Sequence, residues 1–282
     1  MCFGGELRVK HWNFRLKLGV LLLGIFIILG FIVPFFYQGN PIEWGTYLKN
    51  LKPSKEHIFG TTNLGQDTFW LLAKSIQNSF IIGIIVAFFA TLIGVLLGLW
   101  AGFKGGFIDR LITVLTDSFI VIPSLPILIL LGSLMQGKAS LFMIAFVLII
   151  FNWPWPARQI RSMALSLSER DFISTAIFSG QNTLKIIVKE IFPFVAGWSV
   201  ANFVNTILVA IGSESGLAVI GMSSNEKATL GTMIYWANQH QAMLSERWWW
   251  IGSPVVAIAL IFIALFLVMT GYQQYSALRR GK

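Results

Sequence analysis

The chain alternates between long apolar runs without charge and shorter polar connections. Uncharged runs at Leu18–Tyr37 and Phe80–Gly102 are followed by apolar spans at about Leu111–Leu134, Ser140–Pro156 and Phe194–Gly212. A last span opens at Trp248-Trp-Trp250. About 20 predominantly apolar residues cross a bilayer core, so the pattern predicts an all-α polytopic membrane protein with six transmembrane helices. The parts are a leading arm at 1–17, a first helix at 18–37, a polar segment at 38–74, a five-helix core at 75–278 and a basic tail at 279–282. Within Phe80–Gly102, Ala90, Gly94, Gly98 and Gly102 recur every fourth residue, a stripe that lets helix backbones approach closely in lipid. Pro123 and Pro126 predict a bend in the third span, because each proline removes a backbone hydrogen bond.

One long polar interruption, Arg158–Pro193, stands apart. Ser168 or Ser166 can cap a helix in a Ser-x-x-Asp/Glu box with Asp171 or Glu169 as the reciprocal partner, and Gly180 supplies a left-handed residue to end it. Asn182 or Thr183 can cap a second helix whose Leu184, Ile187, Val188, Ile191 and Phe192 share one face, with Pro193 blocking a simple continuation. The prediction is a helix, a glycine turn and an amphipathic helix, on the basic side of the membrane.

Composition narrows the function. With 56% hydrophobic and 12% charged residues and a mean hydropathy of +0.74, a soluble domain is excluded. The single Cys2 rules out an internal disulfide, and His11, His57 and His240 show no metal-ligand spacing, so all four read as structural. The net charge of +9 is not gathered on an aromatic-interleaved patch, which excludes a nucleic-acid partner. Its distribution reports topology instead. Of the 21 Lys and Arg, 14 fall in the arm, the tail and the two connections expected on the cytoplasmic side, which puts both termini in the cytoplasm of a multi-pass cell-membrane protein. The bias is modest because Lys49, Lys52, Lys55 and Lys74 lie in the first outside segment. The first run is longer than a signal-peptide core and its end at Pro34-Phe-Phe-Tyr37 is a poor cleavage site, and Cys2 lies before the run rather than after it, so it is not placed for lipoprotein acylation.

Ionisable and polar groups within the spans are few. Asp117 requires a partner, either an ion pair at the cytoplasmic mouth or substrate. Asn202, Asn205 and Thr206 lie on or near one face of the fifth span, where they bond a neighbouring helix or line a path. The stretch Gly132-Ser-Leu-Met-Gln-Gly137-Lys138-Ala139 is one residue short of a phosphate loop and has no hydroxyl for magnesium, so it reads as a tight external turn. A secondary transporter would place ionisable groups along several helices, and a membrane hydrolase would need a nucleophile and base; neither pattern is present.

The polar interruption resembles the Glu-Ala-Ala loop of ABC importer permeases, and more narrowly the peptide/nickel family of binding-protein-dependent permeases. The matching residues are Ser166 to Phe172, Ala176, Gly180 and Ile191-Phe-Pro193; Ser174, Thr175 and Ala176 stand where the family commonly has Glu-Ala-Ala. Gly60, Thr61, Gly65 and Asp67 resemble the family's Gly-Thr-Asp-x-x-Gly-Arg-Asp motif, with Thr62 and Gln66 replacing an acid and a base. Glu214, Leu217 and Gly221 resemble a segment near its external gate, and Leu230-Gly-Thr-Met-Ile-Tyr-Trp-Ala also looks familial.

The resemblance implies a type I ABC importer permease whose segment 158–193 is a cytoplasmic coupling loop. It implies an ATPase-docking surface at Glu169, Arg170, Asp171, Phe172, Ala176 and Gly180, and pathway or gate roles for Asp117, Asn202, Asn205, Glu214 and Gly221. It further implies a second homologous permease subunit, an extracytoplasmic substrate-binding protein, and two ATP-binding subunits that hold ATP and Mg, with no cofactor in this chain and no catalysis by it. The substrate implied is an oligopeptide, with oligosaccharide as the alternative and nickel as a further one; the tryptophans at 236 and 248–250 would suit sugar stacking or interfacial anchoring.

Overall fold

The computed structural model describes residues 14–135, 140–223 and 227–280. Cys2, His11, the basic residues before Phe14, the Gly137-Lys138-Ala139 turn, Lys282 and the side chains of Arg279 and Arg280 lie outside what is described. Among the described residues there are helices and no strand beyond an isolated bridge between Thr61 and Asp67. The helices are α1 (Phe14–Ile27), α2 (Thr68–Lys104), α3 (Gly106–Val121), α4 (Ser124–Met135), α5 (Leu141–Asn152) and α6 (Pro154–Ser168). They continue with α7 (Asp171–Phe178), α8 (Thr183–Ile186), α9 (Phe192–Val219), α10 (Leu230–Gln239) and α11 (Trp248–Arg280).

Among the described residues five helical rods are long and apolar enough to cross a membrane: Phe14–Phe36, Thr68–Lys104, Leu141–Ser168, Thr183–Val219 and Trp248–Ser276. The α3–α4 pair makes a sixth span, bent by 75°. The bend has a local cause. Pro123 drives the residue before it out of the helical region, and Ile122 is extended at φ −72°, ψ 119°.

The central rod is α2. At about 1.5 Å per residue its 37 residues reach ~55 Å, well beyond a ~30 Å hydrocarbon core, so it carries structure at both ends. Its glycine stripe works as a groove for α6. A Cβ on Gly94 would lie 2.6 Å from Pro156 Cγ, and one on Gly98 2.6 Å from the Ala157 carbonyl oxygen. Facing them, Ala157, Ile160 and Ala164 are fully buried. Antiparallel α1 and α11 close the other flank, with Gly19 against Leu267 and Gly271 against Leu16.

Three expectations are corrected. The fourth span does not end at Pro156: Pro154 begins α6 and the rod runs on to Ser168, since proline is tolerated in a helix's first turn. Residues 158–168 therefore continue this helical rod and do not form a loop. Pro193 does not stop its helix either. A π-helical turn at Ile187–Ile191 precedes it, contains residue 189 whose carbonyl the proline ring would strike, and lets the rod continue into α9. The same device, Ile28–Ile32, precedes Pro34. Finally, Thr68–Lys74, expected in the polar segment, form the first two turns of α2.

Candidate functional site

At the end of the bundle where α6 leaves the α2 groove lies the polar segment that resembles a coupling loop in sequence. Here the expected capping box is absent: Ser168 ends α6 and its hydroxyl donates back to the Leu165 carbonyl, while Arg170 occupies the α7 N-cap without a side-chain bond. Packing along the α2 glycines extends α6 through the serines that would otherwise start a new helix. Asp171 stands in the first turn of α7, where its charge complements the helix dipole.

The α7 C-terminus forms as expected. Gly180 adopts φ +73°, its N–H donates to the Ile177 carbonyl (3.0 Å) and the Gln181 N–H donates to the Ala176 carbonyl (3.2 Å), the paired bonds of a Schellman turn. Asn182 then caps α8 by accepting the Lys185 N–H at 2.8 Å.

Buried Ile173 and Ala176 anchor α7 to a cluster with Ile160, Ala164, Ile186 and Ile191. Ala176 is thus part of the anchor and not of an exposed docking face, a correction that follows from its spacing of three from Ile173. Glu169, Arg170, Asp171, Phe172 and Gly180 are exposed. Sequence reasoning missed the most prominent residue, Phe178, which is 89% exposed, together with half-exposed Ile177. The signal was available for Phe178, because a helix that buries positions 173 and 176 turns 178 outward, whereas Ile177, four residues from Ile173, flanks the buried face. Leu184 and Val188, expected on one face with Ile187 and Ile191, instead point out beside α7 while the isoleucines point in.

Two ion pairs lash α3 to α6. Asp109 holds Arg161 by two bonds, one from Nη2 at 2.8 Å and a second from Nε. Asp117 pairs with Arg158 at 3.3 Å, both side chains about half exposed. Asp117 therefore has a protein partner, and Asp109 is a second acid that the sequence reading did not single out.

Along α9, Asn202, Asn205 and Thr206 line a cavity of about 330 Å³ with Trp155, Phe119 and Asn152. Asn202 and Asn205 also line an adjoining space of about 220 Å³ with Gln159, Trp198 and Gln273. Buried Asn202 donates to Thr91 on α2 and to Thr206, each at 3.4 Å. Asn202 thus bonds its neighbours and, with Asn205, faces a cavity. Every residue lining either space is uncharged.

The opposite end of α9 carries Glu214, 1% exposed, whose Oε1 accepts from Ser223 Oγ and Thr229 Oγ1, both at 2.9 Å. Thr229 also caps α10 in a reciprocal box with Thr232. Gly221, at φ +80°, closes a second Schellman turn; a Cβ there would meet the Tyr235 ring at 2.9 Å. The carboxylate thus ties the end of α9 to the turn and to the start of α10. From α2, Asn78 Nδ2 donates to the Ala228 carbonyl and Ser79 Oγ accepts the Leu230 N–H, fixing the same junction.

Above this end sits a cap built from residues 37–67. Asp67 accepts the N–H groups of Phe69 (2.9 Å) and Trp70 (3.3 Å), starting α2, and takes His57 Nδ1 at 2.6 Å. His57 is structural, as expected, but through a specific carboxylate partner. Thr62 and Gln66 keep in neutral form the contact expected of an acid and a base, with Gln66 Nε2 also donating to the Ile42 carbonyl at 2.7 Å. Burial first, and then the hydrogen bond to Tyr47, push the Tyr37 hydroxyl up to about 12.

The tryptophans are only in part an interfacial belt. Trp248 is exposed, but Trp249 and Trp250 are buried; Trp249 Nε1 donates to the Thr61 carbonyl, and Trp250 stacks on His240, which stacks on Trp236. Burial and the neighbouring Arg247 hold His240 below its ordinary pKa. Among the described residues no three His, Cys, Asp or Glu side chains gather as a metal site.

Residues 94–282 match the family described as "Binding-protein-dependent transport system inner membrane component". The chain is 28% identical to the oligopeptide transport system permease protein OppC of Lactococcus lactis, over 88% of this chain and 85% of the relative. It is 29% identical to the dipeptide permease DppC of Bacillus subtilis, over 93% and 82%, and 30% identical to OppC of Mycobacterium bovis, over 70% and 68%. The inward-facing MetNI methionine ABC transporter shares the fold, with a TM-score of 0.55 at 17% identity over 74% of this chain and 96% of the solved one. With the matched region spanning more than half of its length, the chain belongs to the family of inner-membrane components of binding-protein-dependent transport systems.

Proposed function

We propose that this chain is one of two permease subunits of an ATP-driven importer and forms half of the path by which oligopeptides cross the membrane. A second permease subunit stands beside it, an ATPase binds below each, and an extracytoplasmic binding protein delivers the peptide. ATP and Mg belong to the ATPases. Both termini and the coupling segment face the cytoplasm, in keeping with the distribution of Lys and Arg.

The observation that carries this reading is mechanical continuity. The exposed apolar surface of α7 is anchored through Ile173 and Ala176 to two rods, α6 and α8–α9, and those rods line the uncharged cavity with Trp155, Asn202 and Asn205. When the ATPases close on ATP, a rigid α7 moves with them and the rods rock as bodies, exchanging access between the two membrane faces. Asn205, Gln159 and Gln273 each carry a donor and an acceptor, which match the alternating N–H and C=O groups of a peptide main chain, while the Asn202 Nδ2 is held by Thr91 and Thr206.

Peptide is favoured over oligosaccharide because the relatives matched over most of the chain are oligopeptide and dipeptide permeases. The test is gentle purification of the tagged chain from its native host, with identification of co-purifying proteins and of any ligand held by a binding protein. An ATPase, a second permease and a bound peptide are expected. Recovery of the chain alone, even after crosslinking at Arg170, would overturn the reading; a bound glycan would overturn the substrate.

A further inference from the structure

A crevice of about 720 Å³ opens between α1, α2 and α11 beneath the cap. Its walls are hydrocarbon, including Leu22, Ile76 and Val256, and Pro53 and Ile58 roof it. It shares no lining residue with the cavities along α9. Val256, Ile25 and Leu260 are 37–56% exposed, so its lips face the surrounding lipid.

Over the roof the chain is basic. Lys52 and Lys55 flank Pro53 and are exposed, Lys49 precedes them, and Glu56 is the single acid between residues 49 and 58. These lysines lie at the end of the bundle remote from the coupling segment, where the distribution of positive charge gives no reason for them. We propose that the crevice is a phospholipid site, in which one acyl chain lies between α1, α2 and α11 and an anionic headgroup rests against Lys52 and Lys55. Apolar walls beneath a basic rim match the two halves of such a lipid.

A helix of a partner subunit is the competing occupant, and the basic rim argues against it: an apolar partner helix offers Lys52 and Lys55 no anion, whereas a phospholipid supplies both an apolar chain and a negative headgroup. The inference does not depend on the cargo.

Native mass spectrometry of the assembled complex tests it. Gly252 lines the crevice, and a Cβ there meets only Trp248 Cε3, at 4.0 Å, so Gly252→Leu fills the space without disturbing its helix. A retained phospholipid is expected on the native protein and none on Gly252→Leu. In competition between phosphatidylglycerol and phosphatidylcholine, the native protein keeps the anionic lipid, and Lys52→Ser/Lys55→Ser, which alters only exposed side chains, loses that preference. Unchanged retention in Gly252→Leu, an unchanged preference in the lysine variant, or crosslinking of Gly252→Cys to another protein subunit would each overturn the proposal.

Discussion

Gly180 is the position where a single side chain should separate ATP hydrolysis from transport. Its φ of +73° lies in the left-handed region, and nothing comes within 4 Å of the place a Cβ would take. A valine there meets no neighbour, so its whole effect is backbone strain. Holding a residue with a branched Cβ left-handed costs about 1–3 kcal/mol. Escaping the strain means giving up the bonds from Gly180 N to Ile177 O and from Gln181 N to Ala176 O, each worth about 0.5–1.5 kcal/mol, so both routes cost a similar amount. A shift of 1–3 kcal/mol lowers the population of the native turn relative to its alternatives by about 5–150-fold. The assay is substrate moved per ATP hydrolysed in vesicles containing the full complex. Gly180→Val should lower that ratio with assembly intact, and Gly180→Asn, which tolerates the left-handed region, should stay close to the native value. If valine and asparagine variants both match the native protein, the turn does not transmit force and the reasoning fails.

Three further outcomes follow from the geometry. Gly98→Leu should destabilise the bundle by about 1–3 kcal/mol, read as a lower unfolding temperature in detergent, because its Cβ would press on the Ala157 carbonyl; Gly216→Leu, with nothing within 4 Å of its Cβ, is the control. Asp67→Ala removes both cap bonds at the start of α2 and the partner of His57, costing about 1–2 kcal/mol, and hydrogen exchange should quicken at Phe69 and Trp70. His240 is held below its ordinary 6.5, so the unfolded chain binds the extra proton first: the stabilisation is present above 6.5 and is lost as pH falls below it. His240→Phe keeps a ring between Trp236 and Trp250, and thermal unfolding of this variant should show a shallower dependence on pH across that range than the native protein.

What the sequence made legible was set by local chemistry and period. The apolar runs, the glycine stripe, the Pro123 bend and the Gly180 turn each follow from a residue's own backbone preference or spacing, and all are present. Pro156 and Pro193 do not end their helices because a proline in a first turn, or behind a π-helical turn, is tolerated, and nothing local to the residue distinguishes these cases. Ser168 was misread as a cap because the α2 groove keeps α6 helical beyond it, a tertiary effect invisible to a capping pattern. The His57–Asp67 contact and the burial of Trp249 and Trp250 arise where the irregular cap folds over the bundle, and no periodicity encodes that. Asn202 and Asn205 could be placed on a helix face, but the cavity they line needed the rods on either side.

The account turns on α7 being the contact through which an ATPase moves the bundle. In a chain whose one native cysteine is replaced, Cys2→Ser, a single cysteine at the most exposed large hydrophobic residue of α7, Phe178→Cys, is to be paired by oxidation with cysteines in the ATPase subunits of the assembled complex. The account predicts a disulfide to the ATPase that arrests ATP-driven uptake, with uptake restored on reduction. Continued uptake with α7 crosslinked, or no crosslink from position 178 to any ATPase subunit in a complex that transports, would contradict it.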